Sequence, residues 1–329
     1  MTPTLRVKKH EQTTRYLSTH CASLHDLVVG TVTRGTQTGV MDIDKRWTPI
    51  NGHKLEIVAR SHVVGVIDEV AKTRGRVSAD RCRAAISTFY VWCIDQGYCE
   101  INPTMNIKAR SANGARERTL SDQELAEVWH ACRDDDYGRI VRLLILTGQR
   151  RVEIGDLSRP EVDLGERLLK LPAERIKTNR SHIVWLADQA LAIIKSIPAS
   201  ERDLLFGRGA GGYGGWTESK TALDKRINAA RAKAGLAPMQ HWVIHDLRRS
   251  FSTRCNELGL GLPHAIEACL NHVIGGTHGV YNRAQFETAK AEVWERWDAH
   301  IARLVSRPQP AKPAKPKQSA SRVAGVTAA

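Results

Sequence analysis

A chain of 329 residues with 42% hydrophobic content is long enough for two domains, each with its own core. Its 49 Lys and Arg outweigh 35 Asp and Glu, and the net charge of +14 points to a polyanionic partner. No stretch reaches the roughly 18–20 apolar residues of a membrane span. The opening MTPTLRVKKH has no apolar run behind its charges, so no signal peptide is expected either. Seven scattered cysteines (Cys21, Cys82, Cys93, Cys99, Cys132, Cys255 and Cys269) form no CxxC pair, which suits reduced thiols in a cytosol.

Residues 1–42 form an N-terminal segment of uncertain structure: HEQTTRYLSTHCASLHDLVV suits a helix that GTVTRGTQTG then breaks. No three-stranded sheet is expected there. Residues 43–107 read as a helical unit with helices over Leu55–Thr73 and Ser78–Gly97. In the second, Cys82, Ile86, Phe89 and Cys93 share a face. The cluster Phe89, Tyr90 and Trp92 is expected in the core, and Asn102-Pro103 ends the unit. Residues 108–119, KARSANGARERT, read as a basic linker, either a solvated connector or a strand that tracks phosphates.

A second domain, 120–305, begins at the capping box Ser121-Asp-Gln-Glu124. An apolar helix over Arg139–Gly148 comes next. Short strands at Arg167–Pro172 and His182–Leu186 flank the polar turn Lys177-Thr-Asn-Arg180. GRGAGGYGG (Gly207–Gly215) lacks the pattern of a nucleotide loop and reads as a flexible connection. Helices resume at Ser219–Ala234, Leu247–Leu258, Leu262–Asn271 and Ala284–Val305. The tail 306–329 is rich in proline and basic residues, and is expected to be disordered.

Chemistry concentrates in TGQRRVE, IKTNRSH, HDLRR and NHVIGGTHGVYNR. Arginines donate paired hydrogen bonds to phosphate oxygens and keep their charge. A phenol with a pKa near 10 needs a proton acceptor or nearby positive charge to attack, and histidine suits the first role. A lysine on a turn suits protonation of a leaving alkoxide. Taken singly, each residue has a structural reading: Arg150 paired with Glu153, His245 and Asp246 capping a helix, Lys177 and Tyr281 exposed or half-buried. Their joint order and spacing are what single them out.

That joint pattern resembles the tyrosine recombinase family, or phage-type integrases. TG-x-R-x-x-E matches the family's first arginine box, with Arg150 as clamp and Glu153 as its support. Lys177 with His182 resembles the hairpin lysine box. HDLRR matches H-x-x-R and gives His245 and Arg248. His272 falls 24 residues after Arg248, and Tyr281 nine after His272. TGQRR, LNHVIGG and GVYNR look closest to integrases of prophages and genomic islands.

The resemblance implies a mainly α fold with a small β-sheet, in which a helical, SAM-like core-binding domain joins an α+β catalytic domain. It implies Tyr281 as nucleophile, Arg150 and Arg248 as clamps, His245 as base, His272 as assistant and Lys177 as acid. It also implies no cofactor and no metal. The implied partners are double-stranded DNA at attachment-site repeats, a homotetramer on DNA, and a DNA-bending protein or excisionase. The implied location is the bacterial cytoplasm, with the nucleoid. The apolar face Phe286, Val293, Trp294, Trp297 and Ile301 is expected to dock on a neighbouring protomer on DNA.

Trp185 replaces the family's usual proline, and His278 stands where a small residue is usual. The alternatives are a type IB topoisomerase-like enzyme and a catalytically silent site-specific DNA-binding protein.

Overall fold

The computed structural model describes residues 13–21, 24, 31–34, 37–41, 47–50, 54–111, 117–176, 179–272 and 283–306. The chain divides into two compact units, Met1–Arg116 and Glu117–Ala329.

In the first unit, helix α1 (13–20) precedes three antiparallel strands, β1 (Thr31–Arg34), β2 (Gln37–Met41) and β3 (Trp47–Ile50). Thr31 pairs with Val40, and Thr38 with Ile50. This sheet corrects the expectation of an unstructured break followed by helix. Thr- and Val-rich segments favour extended backbone, and Pro49 is tolerated because β3 lies at the sheet's edge.

Helices α2 (Arg60–Arg74) and α3 (Arg76–Asp95) then form an antiparallel pair across Gly75, whose φ of 88° suits a residue without Cβ. Val63, Ile67 and Val70 of α2 pack with Cys82, Ile86 and Cys93 of α3. The aromatic cluster divides. Tyr90 is buried and its hydroxyl donates to Leu55 O at 3.2 Å, whereas Trp92 is 51% exposed and lies against Tyr98. At the end of this unit, Arg110 pairs with Asp68 at 2.7 Å, and its backbone N–H donates to Asp80.

The second unit begins with α4 (Asp122–Ala131). The Ser121 hydroxyl accepts from Glu124 N, and the Glu124 carboxylate accepts from Ser121 N at 2.9 Å. Arg118 is held by that same carboxylate. Helix α5 (Asp136–Thr147) is buried on nearly every side through Ile140, Val141, Leu143, Leu144, Ile145 and Leu146. Short helix α6 (Arg151–Gly155) follows. Strands β4 (Val162–Asp163), β5 (Leu168–Leu171) and β6 (His182–Trp185) form a small antiparallel sheet. Helices α7 (Asp188–Lys195), α8 (Trp216–Lys233), α9 (Ile244–Glu257), α10 (Pro263–Cys269) and α11 (Arg283–Ser306) complete the unit.

Two further expectations change. The glycine-rich loop is tied down rather than flexible. The Arg202 guanidinium donates to the carbonyls of Gly207, Gly209 and Gly211, and Gly207 N donates to Asp136. The apolar face of α11 covers its own unit. Val293, Trp294, Trp297 and Ile301 are buried in the same core as α5. The indole N–H groups of Trp294 and Trp297 donate to Thr147 O and Ile145 O at 3.1 and 2.8 Å. Those carbonyls sit in the last turn of α5, where intrahelical donors run out. Within a single chain this face is therefore filled by its own unit's core. The Phe286 side chain, residues 112–116 of the linker and the tail from 307 lie outside the described residues.

Candidate active site

Four of the expected residues converge on the second unit. Arg150 precedes α6 directly. The buried Glu153 carboxylate accepts from both Arg150 N and Arg150 Nη1, each at 2.7 Å, so one side chain caps the helix and aims the guanidinium. Arg248 is buried on α9. Its Nη1 donates to Gly148 O at 3.0 Å and its Nη2 to Leu270 O. Gly148 ends α5 with φ 68°, and a Cβ there would collide with the Phe251 ring. That glycine therefore brings the α5 terminus against α9 and puts its carbonyl within reach of Arg248.

Burial, with the Arg150 charge adding to it, pushes the Arg248 pKa down to about 10, which leaves a cation at neutral pH. Glu153, paired with Arg150, and Glu267 offset part of the mutual repulsion of the two cations, and a bound phosphate would offset more of it.

His245 sits in the first turn of α9. The Asp246 carboxylate next to it caps the helix through Val243 N and pairs with Arg249 at 2.6 Å. Burial, with the charges of Arg249 and Arg248 behind it, pushes the His245 pKa below its ordinary value. The ring is therefore neutral at pH 7 and can accept a proton. His272 follows α10 and its Nε2 lies 3.0 Å from Arg248 Nη2. His245, Arg248 and His272 line one open cleft of about 440 Å³, together with Arg249, Ser252, Thr253, Thr119, Glu117 and Leu270. Lys177, His278 and Tyr281 lie outside the described residues. Among the described residues, no group of three or more His, Cys, Asp or Glu side chains is placed to hold a metal ion.

His182, expected near the lysine turn, is a core residue of β6. Its Nε2 lies 3.1 Å from Cys269 O and so carries the proton. Burial, with the Lys290 charge behind it, pushes its pKa from 6.5 down to about 3. An unfolded chain takes up this proton near pH 6.5 and the folded one only near 3. Stability should therefore fall as pH drops through that window, by up to about 1.4 kcal/mol per pH unit from this group. Urea titrations at stepped pH should show a shallower slope in His182→Gln. Equal slopes would mean the ring titrates normally.

The Phage integrase family profile matches residues 118–288, just over half of the chain. The chain belongs to that family. Prophage integrase IntZ of Escherichia coli K12 is 31% identical over 177 residues, which is 53% of this chain and 42% of the relative. Prophage integrase IntA of the same strain is 26% identical over 249 residues, 72% of this chain and 58% of the relative. The chain thus spans about half the length of these curated relatives. A lambda integrase tetramer bound to a Holliday junction superposes with a TM-score of 0.50 at 15% identity, covering 82% of this chain and 78% of that one. At that identity the likeness is one of fold. The mainly helical architecture with a small antiparallel sheet is that of integrase catalytic domains.

Trp185 ties β6 to α11 by donating to Glu295 at 2.6 Å, with Arg167 packed over its ring. The integrase pattern gave no hint of Ser252 and Glu267, which also reach the site. Glu267 Oε2 lies 2.5 Å from His272 Nδ1, and Ser252 Oγ donates to Glu267 Oε1 at 3.2 Å. The signal available for them was position alone: four residues past Arg248 and five before His272.

Proposed function

We propose that this integrase is a site-specific DNA recombinase that cuts and rejoins strands through a 3′-phosphotyrosine link, for integration or excision of a mobile element. The observation that supports it most is the placing of Arg248, His245 and His272 around one cleft, with the charge of Arg150 felt at both Arg248 and His245.

On this reading the Tyr281 oxygen attacks the scissile phosphorus while its proton passes to His245. Arg150 and Arg248, with His272, stabilise the charge that builds on the equatorial oxygens. The bond to the 5′ oxygen breaks, and Lys177 protonates that oxygen. Attack by a partner strand's 5′-hydroxyl reverses the step. The bond energy stays in the phosphotyrosine, so no ATP is consumed. Residues 43–107 act as a core-DNA-binding domain, joined by the linker 108–119 to the catalytic domain 120–305. The tail 306–329 adds nonspecific phosphate contacts. Partners are attachment-site repeats, three further protomers, and a DNA-bending protein or excisionase. The setting is the bacterial cytoplasm, at the nucleoid.

The test separates clamp from acid. Arg150→Ala and Arg248→Ala should each lower single-turnover cleavage by about 10²–10³. Lys177→Ala should recover on a substrate whose leaving group is a 5′-thiol, which departs without a proton. No relative recovery would remove Lys177 from the acid role. Binding should weaken steeply with salt, with a log–log slope near −0.9 per neutralised phosphate. A salt-independent affinity would contradict the reading.

A further inference from the structure

We propose that Glu267, backed by Ser252, is a positioning residue that fixes the tautomer and ring orientation of His272; the role it serves depends on the function proposed above. The hydrogen-bond chain carries the assignment. Arg248 Nη2 lies 3.0 Å from His272 Nε2, and a guanidinium has donors only. The Nε2 must therefore accept. In the neutral ring the proton then sits on Nδ1, which donates to Glu267 Oε2 at 2.5 Å. The other oxygen of that carboxylate accepts from Ser252 Oγ at 3.2 Å.

Both ends of this chain stand on α9. Arg248 and Ser252 are four residues apart, so they share one helix face. One helix thus faces the ring nitrogen Nε2 and, a turn later, the carboxylate that holds Nδ1. Glu267 also carries the backbone after α10, because its carbonyl accepts from His272 N at 3.2 Å. A side-chain substitution leaves that backbone bond in place and removes the carboxylate's contacts to the ring and to Ser252.

The arrangement has a chemical consequence. Without DNA, the Nε2 corner is an acceptor turned toward Arg248. A phosphate oxygen is also an acceptor, so the ring can assist it only after Nε2 takes a proton from solvent. The carboxylate at Nδ1 then holds the ring in the orientation that turns Nε2 toward that oxygen. An amide at position 267 can hold the same tautomer through its oxygen, but lacks the charge.

Two readouts test this. The first is the nitrogen chemical shifts of His272 in the DNA-free, ¹⁵N-labelled protein, assigned by their loss in His272→Gln. The wild type should show protonated Nδ1 and bare Nε2. Glu267→Gln should keep that pattern, and Glu267→Ala, which frees the ring to turn away from Arg248, should shift toward a mixture. The second is single-turnover cleavage of a nicked substrate. Glu267→Ala should lose about 10- to 100-fold, the usual scale for a partner that orients a reacting group. Glu267→Gln should recover part of that loss, and Ser252→Ala should lie between Glu267→Gln and wild type.

Bare Nδ1 with protonated Nε2 in the wild type would overturn the proposal. So would unchanged nitrogen shifts in Glu267→Ala. If Glu267→Ala does not fold, Glu267→Gln cleaving no better than His272→Gln would also overturn it. The nitrogen shifts need no DNA. A wild type with the expected shifts and no covalent product would count against the proposed function and leave the contact standing.

Discussion

Tyr281→Phe is expected to bind DNA as tightly as the wild type and to form no covalent adduct. The substitution removes one oxygen and keeps the ring. On the proposed mechanism that oxygen is the only atom able to join the chain to the 3′ phosphate, so the loss is complete rather than graded. Binding depends on the basic surface and should survive, since each phosphate contact contributes its own increment. The check has two parts: a mobility shift at fixed salt, and denaturing electrophoresis after incubation with a nicked suicide substrate. A slow-migrating covalent band that persists in Tyr281→Phe would remove Tyr281 from the role of nucleophile.

Truncation after Asn282 is expected to unfold the second unit, not to leave a folded domain that has lost a partner contact. The truncation removes α11 and with it the buried Val293, Trp294, Trp297 and Ile301. It also strands the carbonyl of Ile145, which accepts from the Trp297 indole, and leaves Thr147 O with Gln149 Nε2 alone of its two side-chain donors. Trp297→Ala alone should cost about 3–5 kcal/mol. That is a large part of the ~5–15 kcal/mol that holds a typical domain. Near-ultraviolet circular dichroism and urea unfolding decide it. A truncated chain that keeps a native, cooperative transition would show that α11 is dispensable, and would reopen the possibility that its face serves a neighbour.

That second case shows where the sequence stops being informative. The apolar stripe Val293, Trp294, Trp297 and Ile301 is plain in the sequence, because the period of a helix is local. Its occupant is not, because α5 lies about 150 residues upstream and nothing local points to it. Ser121 and Glu124 were legible for the same reason that Gly207–Gly215 was not. A capping box closes within four residues, whereas the glycine loop is fixed by Arg202 and Asp136 from outside. The strands over Thr31–Ile50 were missed because Thr and Gly signal both turns and edge strands. The arginine and histidine boxes were readable through their spacing, and the structure brings Arg248, His245 and His272 to one cleft. Glu267 was not readable, since a glutamate on a short helix looks like any solvated charge until His272 is seen beside it.

The central claim is that Tyr281 carries the DNA. The most direct measurement is peptide mapping of the trapped product. The wild-type chain would be incubated with a nicked suicide duplex, denatured, digested with nuclease and trypsin, and analysed by tandem mass spectrometry. The account predicts a residual nucleotide on the tryptic peptide Cys255–Arg283, localised by its fragment ions to Tyr281. A nucleotide on any other residue, or cleaved DNA with no covalently modified peptide, would contradict it.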